Sequence, residues 1–395
     1  MEISGIRKVK TAVVGCGMIS NIYIHNLSQL FSIIDLAAIC DINPAAAEEK
    51  GKTYGVGRIM SIEEIAADKE IELVVNLTAA PVHYAVIRQM LEAGKNVYTE
   101  KMFTTDLAQS RELVKLAEEK GLMIAVAPDT VLGAGVQTAR HMIDSGLVGE
   151  VTSGLVSVTR DQNLNSETFK FLQKAGGGIP YDVCIYYIGA LVATLGPVKA
   201  IRAFAAPGLR HRKQLLYDTA NADEWTIPGN NLITAALEFE CGALVSVHFN
   251  GNAVGAQRNI IQLYGTKATM EMGDPDSFRG EVTLTFPEAE PVKMPFTHGY
   301  DGVHVFDHFP FEFYGHRGIG AADLAWAMRT GRTNRLSMYY GLHCQEILQG
   351  MDEAARTGET YYVQSRCEVK PLAAGYYSSN GMGRGRADAE RSLID

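Results

Sequence analysis

The sequence predicts an α/β protein: a parallel sheet flanked by helices, then a C-terminal α/β domain with a large, mostly antiparallel sheet. Three observations lead there. Up to about residue 126, short apolar runs alternate with helical patterns, as in parallel strands joined by crossover helices. Beyond it, longer segments alternate polar and apolar residues, as strands with one open face do. At 395 residues the chain also exceeds one ordinary core.

The elements follow in order. Thr11–Val14 reads as a strand, Ile19–Phe31 as a helix, Leu36–Cys40 as a strand, and Pro44–Tyr54 as a helix with proline in its first turn. Ser61-Ile62-Glu63-Glu64 has the form of a capping box. Leu73–Leu77 is the next strand, and a helix from Pro81 to Ala93 stops at Gly94. Asn96–Thr99 is a strand, Asp106 caps a helix, and Leu122–Val126 closes this half. Then come a helix over Gly135–Ser145, the segment Val151–Thr159, and a helix over Tyr181–Leu195. The alternating segments are Lys199–Ala205, Leu232–Glu240, Ala243–Phe249, Asn259–Tyr264, Ala268–Met272 and Glu281–Phe286. Helices at Ala321–Thr330 and Tyr339–Thr357 finish the fold. The expected division is 1–126, 127–372 and a Gly/Ser/Arg-rich tail at 373–395, loose or serving as an oligomer arm.

The first strand runs into Gly15-x-Gly17-x-x-Ser20, and the second ends on Asp41, the context a dinucleotide fingerprint requires. Gly15 suits a tight turn and Gly17 the approach of a diphosphate. Met18 and Ile19 open a helix whose free N–H groups would face that charge. Asp41 would accept from ribose hydroxyls. It favours NAD over NADP, because a carboxylate repels a 2′-phosphate and Ile42-Asn43-Pro44 offers no arginine. Ligands gather beyond the carboxyl ends of such strands. The polar groups expected there are Gly15–Ser20, Asp41, Thr78, Glu100-Lys101 and Pro128-Asp129.

Composition narrows the partners. Hydrophobic residues make up 47% and charged residues 21%, and the net charge of −9 argues against nonspecific binding to nucleic acid or an anionic membrane. Six scattered cysteines form no C-x-x-C pair, so neither a disulfide framework nor a zinc knuckle is suggested. The start lacks a secretory apolar stretch, and no segment is long enough to span a bilayer. A cytoplasmic location is the expectation.

Taken together, G-C-G-M-I-S, N-L-T-A-A-P-V-H (76–83), T-E-K-M (99–102) and G-G-G-I-P-Y-D-V-C-I-Y-Y-I (176–188) resemble the glucose–fructose oxidoreductase / inositol dehydrogenase (Gfo/Idh/MocA) family. The likeness extends to about residue 372. It implies an N-terminal Rossmann domain and transfer of hydride to or from a secondary hydroxyl of a sugar, polyol or glycoside, with carbon 3 of a glucoside as one candidate position. It also implies association through the exposed face of the large sheet, as a homodimer or homotetramer. Met102 stands at a usual proline, Cys184 at a usual glycine and Tyr186 at a usual histidine. The resemblance assigns Lys101 and Asp182 to catalysis, and Glu100 and His83 to the cofactor's surroundings. For His83, helix capping or packing is an equal reading.

Lys101 could donate to the reacting oxygen. Asp182 and Tyr186, four apart on a helical pattern, share a face. A free phenol titrates near ~10, and a neighbouring ammonium would favour phenolate. The expectation is therefore a Lys101–Tyr186 pair with Asp182 orienting the lysine or the substrate; the alternative places Tyr186 in an apolar stripe. Asp129 is a candidate substrate ligand or a helix cap. Arg160, His248 and Asn250 are candidate substrate contacts, or else surface and sheet-face residues. His304 and His308, with Asp307 between them, have metal-pair spacing, but glycines and a proline argue for a loop packing on sugar or on another subunit, and no metal is expected. Two other functions stay open: redox-assisted glycoside cleavage through a keto sugar, and a noncatalytic dinucleotide-binding sensor.

Overall fold

A computed structural model describes residues 6–161, 178–208, 211–212, 225–226, 229–253, 259–302, 315–374 and 393. Five strands, β1 (Val9–Val14), β2 (Ile34–Cys40), β3 (Leu73–Asn76), β4 (Asn96–Thr99) and β5 (Ile124–Val126), form an all-parallel sheet in the order β2-β1-β3-β4-β5. The chain leaves β1 in one direction and returns to its other side with β3, so a crevice opens at the carboxyl end of β1.

Local chemistry sets the crossover helices. Helix α1 spans Ser20–Gln29. Asn43 caps α2 (Pro44–Tyr54), and Gly55 ends it at φ 72°. Ser61 and Glu64 satisfy each other's backbone at the start of α3 (Ile62–Ala67), so the expected capping box is present. The helix expected from Pro81 begins as a 3₁₀ turn, Ala80–Val82, and becomes α4 only at His83 (His83–Glu92). Asp106 caps α5 (Leu107–Lys120).

The second sheet has nine strands. They are β6 (Val151–Thr159), β7 (Val198–Ala206), β10 (Leu232–Phe239), β11 (Leu244–Asn250), β12 (Ile260–Gly265), β13 (Thr269–Met272), β14 (Val282–Thr285), β15 (Val292–Lys293) and β16 (Tyr361–Tyr362). A separate pair, β8 (His211–Arg212) with β9 (Trp225–Thr226), stands apart. The order is β15-β14-β13-β12-β6-β11-β10-β7-β16, and only β6 and β11 run parallel. In β11, Val245, Val247 and Phe249 are buried while Leu244 and Ser246 are exposed. Helices Ala134–Asp144, Cys184–Leu195 and Met338–Thr357 cover the buried face.

The helix expected over Tyr181–Leu195 is two segments, Ile179–Asp182 and Cys184–Leu195. At the junction the Asp182 carbonyl accepts from the Lys101 ammonium at 2.9 Å. Most of the tail expected at 373–395, and His304, Asp307 and His308, lie outside the described residues. No helix among the described residues is long and apolar enough to cross a membrane.

One helix fastens the two sheets together. Met338–Thr357 starts at the Ser337 cap. On one side its Gln345 accepts from Ser110 Oγ at 2.7 Å. On the other, Glu346 accepts from Tyr361 Oη at 2.9 Å and from the Ser365 N–H at 2.8 Å. A Cβ on Gly341 would lie 2.5 Å from Val126 Cβ, and one on Gly350 would lie 2.7 Å from the Tyr361 ring. Replacing Gly341 by alanine gains about 1 kcal/mol of helix propensity. Overpacking a filled core costs about 1–3 kcal/mol, so the clash wins. Gly341→Ala is expected to lower the urea midpoint with an unchanged m-value; a raised midpoint would show that the contact yields.

Candidate active site

The turn after β1 is held from beneath. Gly15 has φ 104°, and a Cβ there would lie 2.7 Å from the Leu77 carbonyl carbon, so only glycine fits. Asp41 accepts from the Cys16 N–H at 2.6 Å and from the Asn43 N–H at 2.7 Å, which fixes the turn and leaves lone pairs for other donors. Ser20 Oγ donates to the Gly17 carbonyl at 2.6 Å and is buried, which explains the serine at the third small position. A Cβ on Gly17 would meet nothing within 4 Å. Among the described residues the N–H groups of Met18 and Ile19, at the start of α1, donate to no acceptor. An open glycine, two unused donors at a helix N-terminus and a carboxylate ending β2 fit a dinucleotide.

Thr78 turns inward. Its N–H and hydroxyl both donate to Asn76 Oδ1, at 3.3 and 2.7 Å. His83 is fully buried and lies between two backbone carbonyls, Nδ1 at 2.6 Å from Met102 O and Nε2 at 2.8 Å from Thr78 O. Burial holds its pKa below the ordinary imidazole value. The ring is packed on both edges by those carbonyls. Glu100 is also buried; it accepts from Tyr23 Oη at 2.6 Å and from the Lys101 N–H at 3.0 Å. Tyr98 joins this group through Tyr23, hydroxyl to hydroxyl at 2.8 Å. The Lys101–Met102 and Ala127–Pro128 peptide bonds are cis.

Lys101 and Asp182 meet. The ammonium donates to Asp182 Oδ1 at 2.6 Å, and the side chains are 16% and 19% exposed, so the pair is reachable from solvent yet mostly dry. Burial pushes the Lys101 pKa down, but Asp182, Glu100 and Asp276 reverse that and leave it raised. Those carboxylates favour the charged ammonium.

Tyr186 differs from expectation. The Lys101 ammonium makes no hydrogen bond to its hydroxyl; it sits over the ring, 5.1 Å from the centroid, with two of its three donors given to Asp182. The Tyr186 oxygen accepts instead from Arg317 Nη2 at 3.0 Å. Arg317 is 1% exposed; it also pairs with Asp129 at 3.2 Å and with Asp276 at 3.0 Å. Asp129, a candidate substrate ligand in the sequence, is wholly buried and accepts from Arg317 and from the Gly318 N–H at 2.7 Å. Burial raises its pKa to about 6 against the pull of Arg317.

The remaining candidates divide. Arg160 pairs with Asp274 at 3.1 Å, and Asp274 also accepts from Tyr187 Oη at 2.9 Å, so it belongs to the same polar layer. His248 does not; it hydrogen-bonds Thr234 across the open face of the large sheet at 3.0 Å. Asn250 shares that parity, and its side-chain oxygen accepts from the Asn252 N–H at 2.8 Å. Both placements, the sheet-face alternative for these residues, follow from strand alternation, since Phe249 between them points into the core. Arg317 and Asp276 were missed. Their signals in the sequence are an arginine closing an aromatic stretch and a second acid in Asp274-Pro275-Asp276.

Fold and site together define a dinucleotide-binding oxidoreductase architecture. Residues 9–127 match the oxidoreductase-family NAD-binding Rossmann fold and residues 136–271 the GFO/IDH/MocA C-terminal domain, so the chain belongs to the Gfo/Idh/MocA family. An uncharacterized oxidoreductase of Schizosaccharomyces pombe is 30% identical over 198 residues, 49% of this chain and 54% of that one. The scyllo-inositol 2-dehydrogenase (NADP(+)) of Bacillus subtilis is 25% identical over 205 residues, 51% of this chain and 56% of its own length. The chain thus spans about half the length of the curated relatives it matches first. A levoglucosan dehydrogenase structure in complex with NADH and L-sorbose superposes with TM-score 0.77 at 18% identity, covering 91% of this chain and 99% of that one.

The two glycines should separate folding from binding. Gly17→Val is expected to leave the thermal midpoint within a few degrees of the parent while abolishing NAD binding in calorimetry. Undiminished binding would place the diphosphate elsewhere.

Proposed function

We propose that the chain is an NAD-dependent oxidoreductase that exchanges hydride with a secondary hydroxyl-bearing carbon of a sugar, polyol or glycoside. The observation that carries this is the Lys101–Asp182 contact, which sets a charged donor from the end of β4 against a carboxylate of the second half. Gly17, Met18, Ile19 and Asp41 would hold the coenzyme, and bound NAD supplies the hydride acceptor. Lys101, kept protonated by its carboxylates, donates to the reacting oxygen and stabilises charge developing there. Asp182 orients the ammonium. Tyr186, beside both, would act as the phenolate and take the proton of the substrate hydroxyl; with that proton and the carbon's hydride both given up, the carbinol carbon becomes a carbonyl. In the reverse direction the phenol returns that proton.

The carbohydrate class is supported by the inositol and levoglucosan dehydrogenases among the relatives. Carbon 3 of a glucoside is one candidate position. NAD is preferred over NADP because Asp41 would face a 2′-phosphate, although one relative is named for NADP. Six free cysteines suit a reducing cytoplasm.

Single-turnover spectroscopy with NAD and a panel of polyols and glycosides tests the reading. NADH should appear with at least one of them. Lys101→Met should lower that rate by about 10²–10³-fold, and Tyr186→Phe by about 10²–10⁴-fold. Absence of NADH across the panel would favour a sensor. Aglycone release without net NADH would favour redox-assisted cleavage.

The open face of the large sheet supports a homo-oligomer. Phe204 is 84% exposed there, in one surface with Leu155, Leu244 and Tyr264. Such an apolar patch marks an interaction surface. Phe204→Lys with Leu244→Lys should convert a dimer or tetramer to monomer by light scattering; an unchanged mass would put the contact elsewhere.

A further inference from the structure

Proton transfer at Tyr186 depends on which way its hydroxyl faces and which charges surround it. A guanidinium is planar, permanently charged and has no acceptor, so its N–H can only donate to the phenol oxygen. Arg317 Nη2 does so at 3.0 Å. The proton of Tyr186 is therefore directed away from Arg317, and one lone pair is already engaged by a cation.

The guanidinium carbon also lies 5.2 Å from the Tyr186 ring centroid, with the Lys101 ammonium at 5.1 Å. Two cations thus flank one phenol. Opposing them are Asp182 on Lys101, and Asp129 and Asp276 on Arg317. Both cations lie directly against the Tyr186 side chain, and at short range in a dry site such contacts outweigh more distant charges. Three acceptors from three separate elements hold Arg317: the turn after β5, the helix carrying Tyr186, and the turn after β13. It cannot swing away without stranding the buried carboxylate of Asp129 and uncoupling that of Asp276.

We propose that Arg317 is the positioning residue for proton transfer, fixing the Tyr186 oxygen as an acceptor and favouring its phenolate over the neutral phenol. This rests on Tyr186 being the proton acceptor of the function proposed above. Arg317 touches neither substrate nor coenzyme in this role. Asp276 acts in the opposite sense, by neutralising part of the guanidinium charge.

The test uses the full chain with NAD bound and reads the pH dependence of single-turnover NADH formation. Arg317→Gln should move the acidic limb of that profile upward by about one pH unit, a tenfold loss of base at a given pH below it. Arg317→Lys should restore most of the shift. Asp276→Asn, which keeps the guanidinium and removes a counter-charge, should move the limb downward. Opposite signs are the signature, since a merely structural role would lower both rates and leave the limb in place. Limbs that stay put, or shift in the same direction in both variants, overturn the proposal. ¹³Cζ-tyrosine NMR of the same proteins, with Tyr186 assigned through Tyr186→Phe, reads the titration without substrate. A displaced titration with no NADH on any polyol would sustain the role of Arg317 while sinking the oxidoreductase reading; an undisplaced titration sinks the role itself.

Discussion

The ion cluster around Arg317 is the contact on which the arrangement of the site depends. A guanidinium at 1% exposure is tenable only when acceptors surround it, and here Asp129 supplies one from the end of the parallel sheet and Asp276 another from the large sheet. Asp129 follows the last strand of the parallel sheet, Asp276 follows β13 of the large sheet, and Tyr186 lies on the helix between them in sequence. A cation that fastens three elements at once fixes where the phenol sits relative to Lys101. Stripping one partner from such a buried group costs about 3–5 kcal/mol, because the rest are left uncompensated.

The network beneath Lys101 has the same logic. Glu100 receives Tyr23 and the Lys101 backbone, and Tyr23 receives or donates to Tyr98. Burial and nearby carboxylates hold both phenols far above their ordinary titration range. They are structural dipoles. Beside them the Lys101–Asp182 pair stays partly exposed, with Tyr186 against it.

How much of this was legible in the sequence depended on distance along the chain. The crossover pattern of the first sheet and the alternation of the second are local periodicities, and both sheets appeared with boundaries shifted by a few residues. Gly15, Gly17, Asp41 and Lys101 sit at strand ends where neighbours in sequence reveal the turn. Arg317 and Asp276 matter only through partners far away, Asp129 and Tyr186 in the first case, so no local window could expose them. His248 and Asn250 are the reverse case. The run Val245-Ser246-Val247-His248-Phe249 already assigns them to the open face by parity, and only their chemistry made them attractive as ligands.

The helix Met338–Thr357 has a mechanical corollary. Many enzymes admit ligands by swinging two lobes apart about a few loop residues. Here a rigid rod is pressed into Val126 at one glycine and into Tyr361 at another. Any clamshell opening would have to tear one of those seats apart. Those two seats resist a change in the mutual attitude of the sheets, and leave the rim of the crevice, with its side chains and connecting loops, as the part of the site free to adjust.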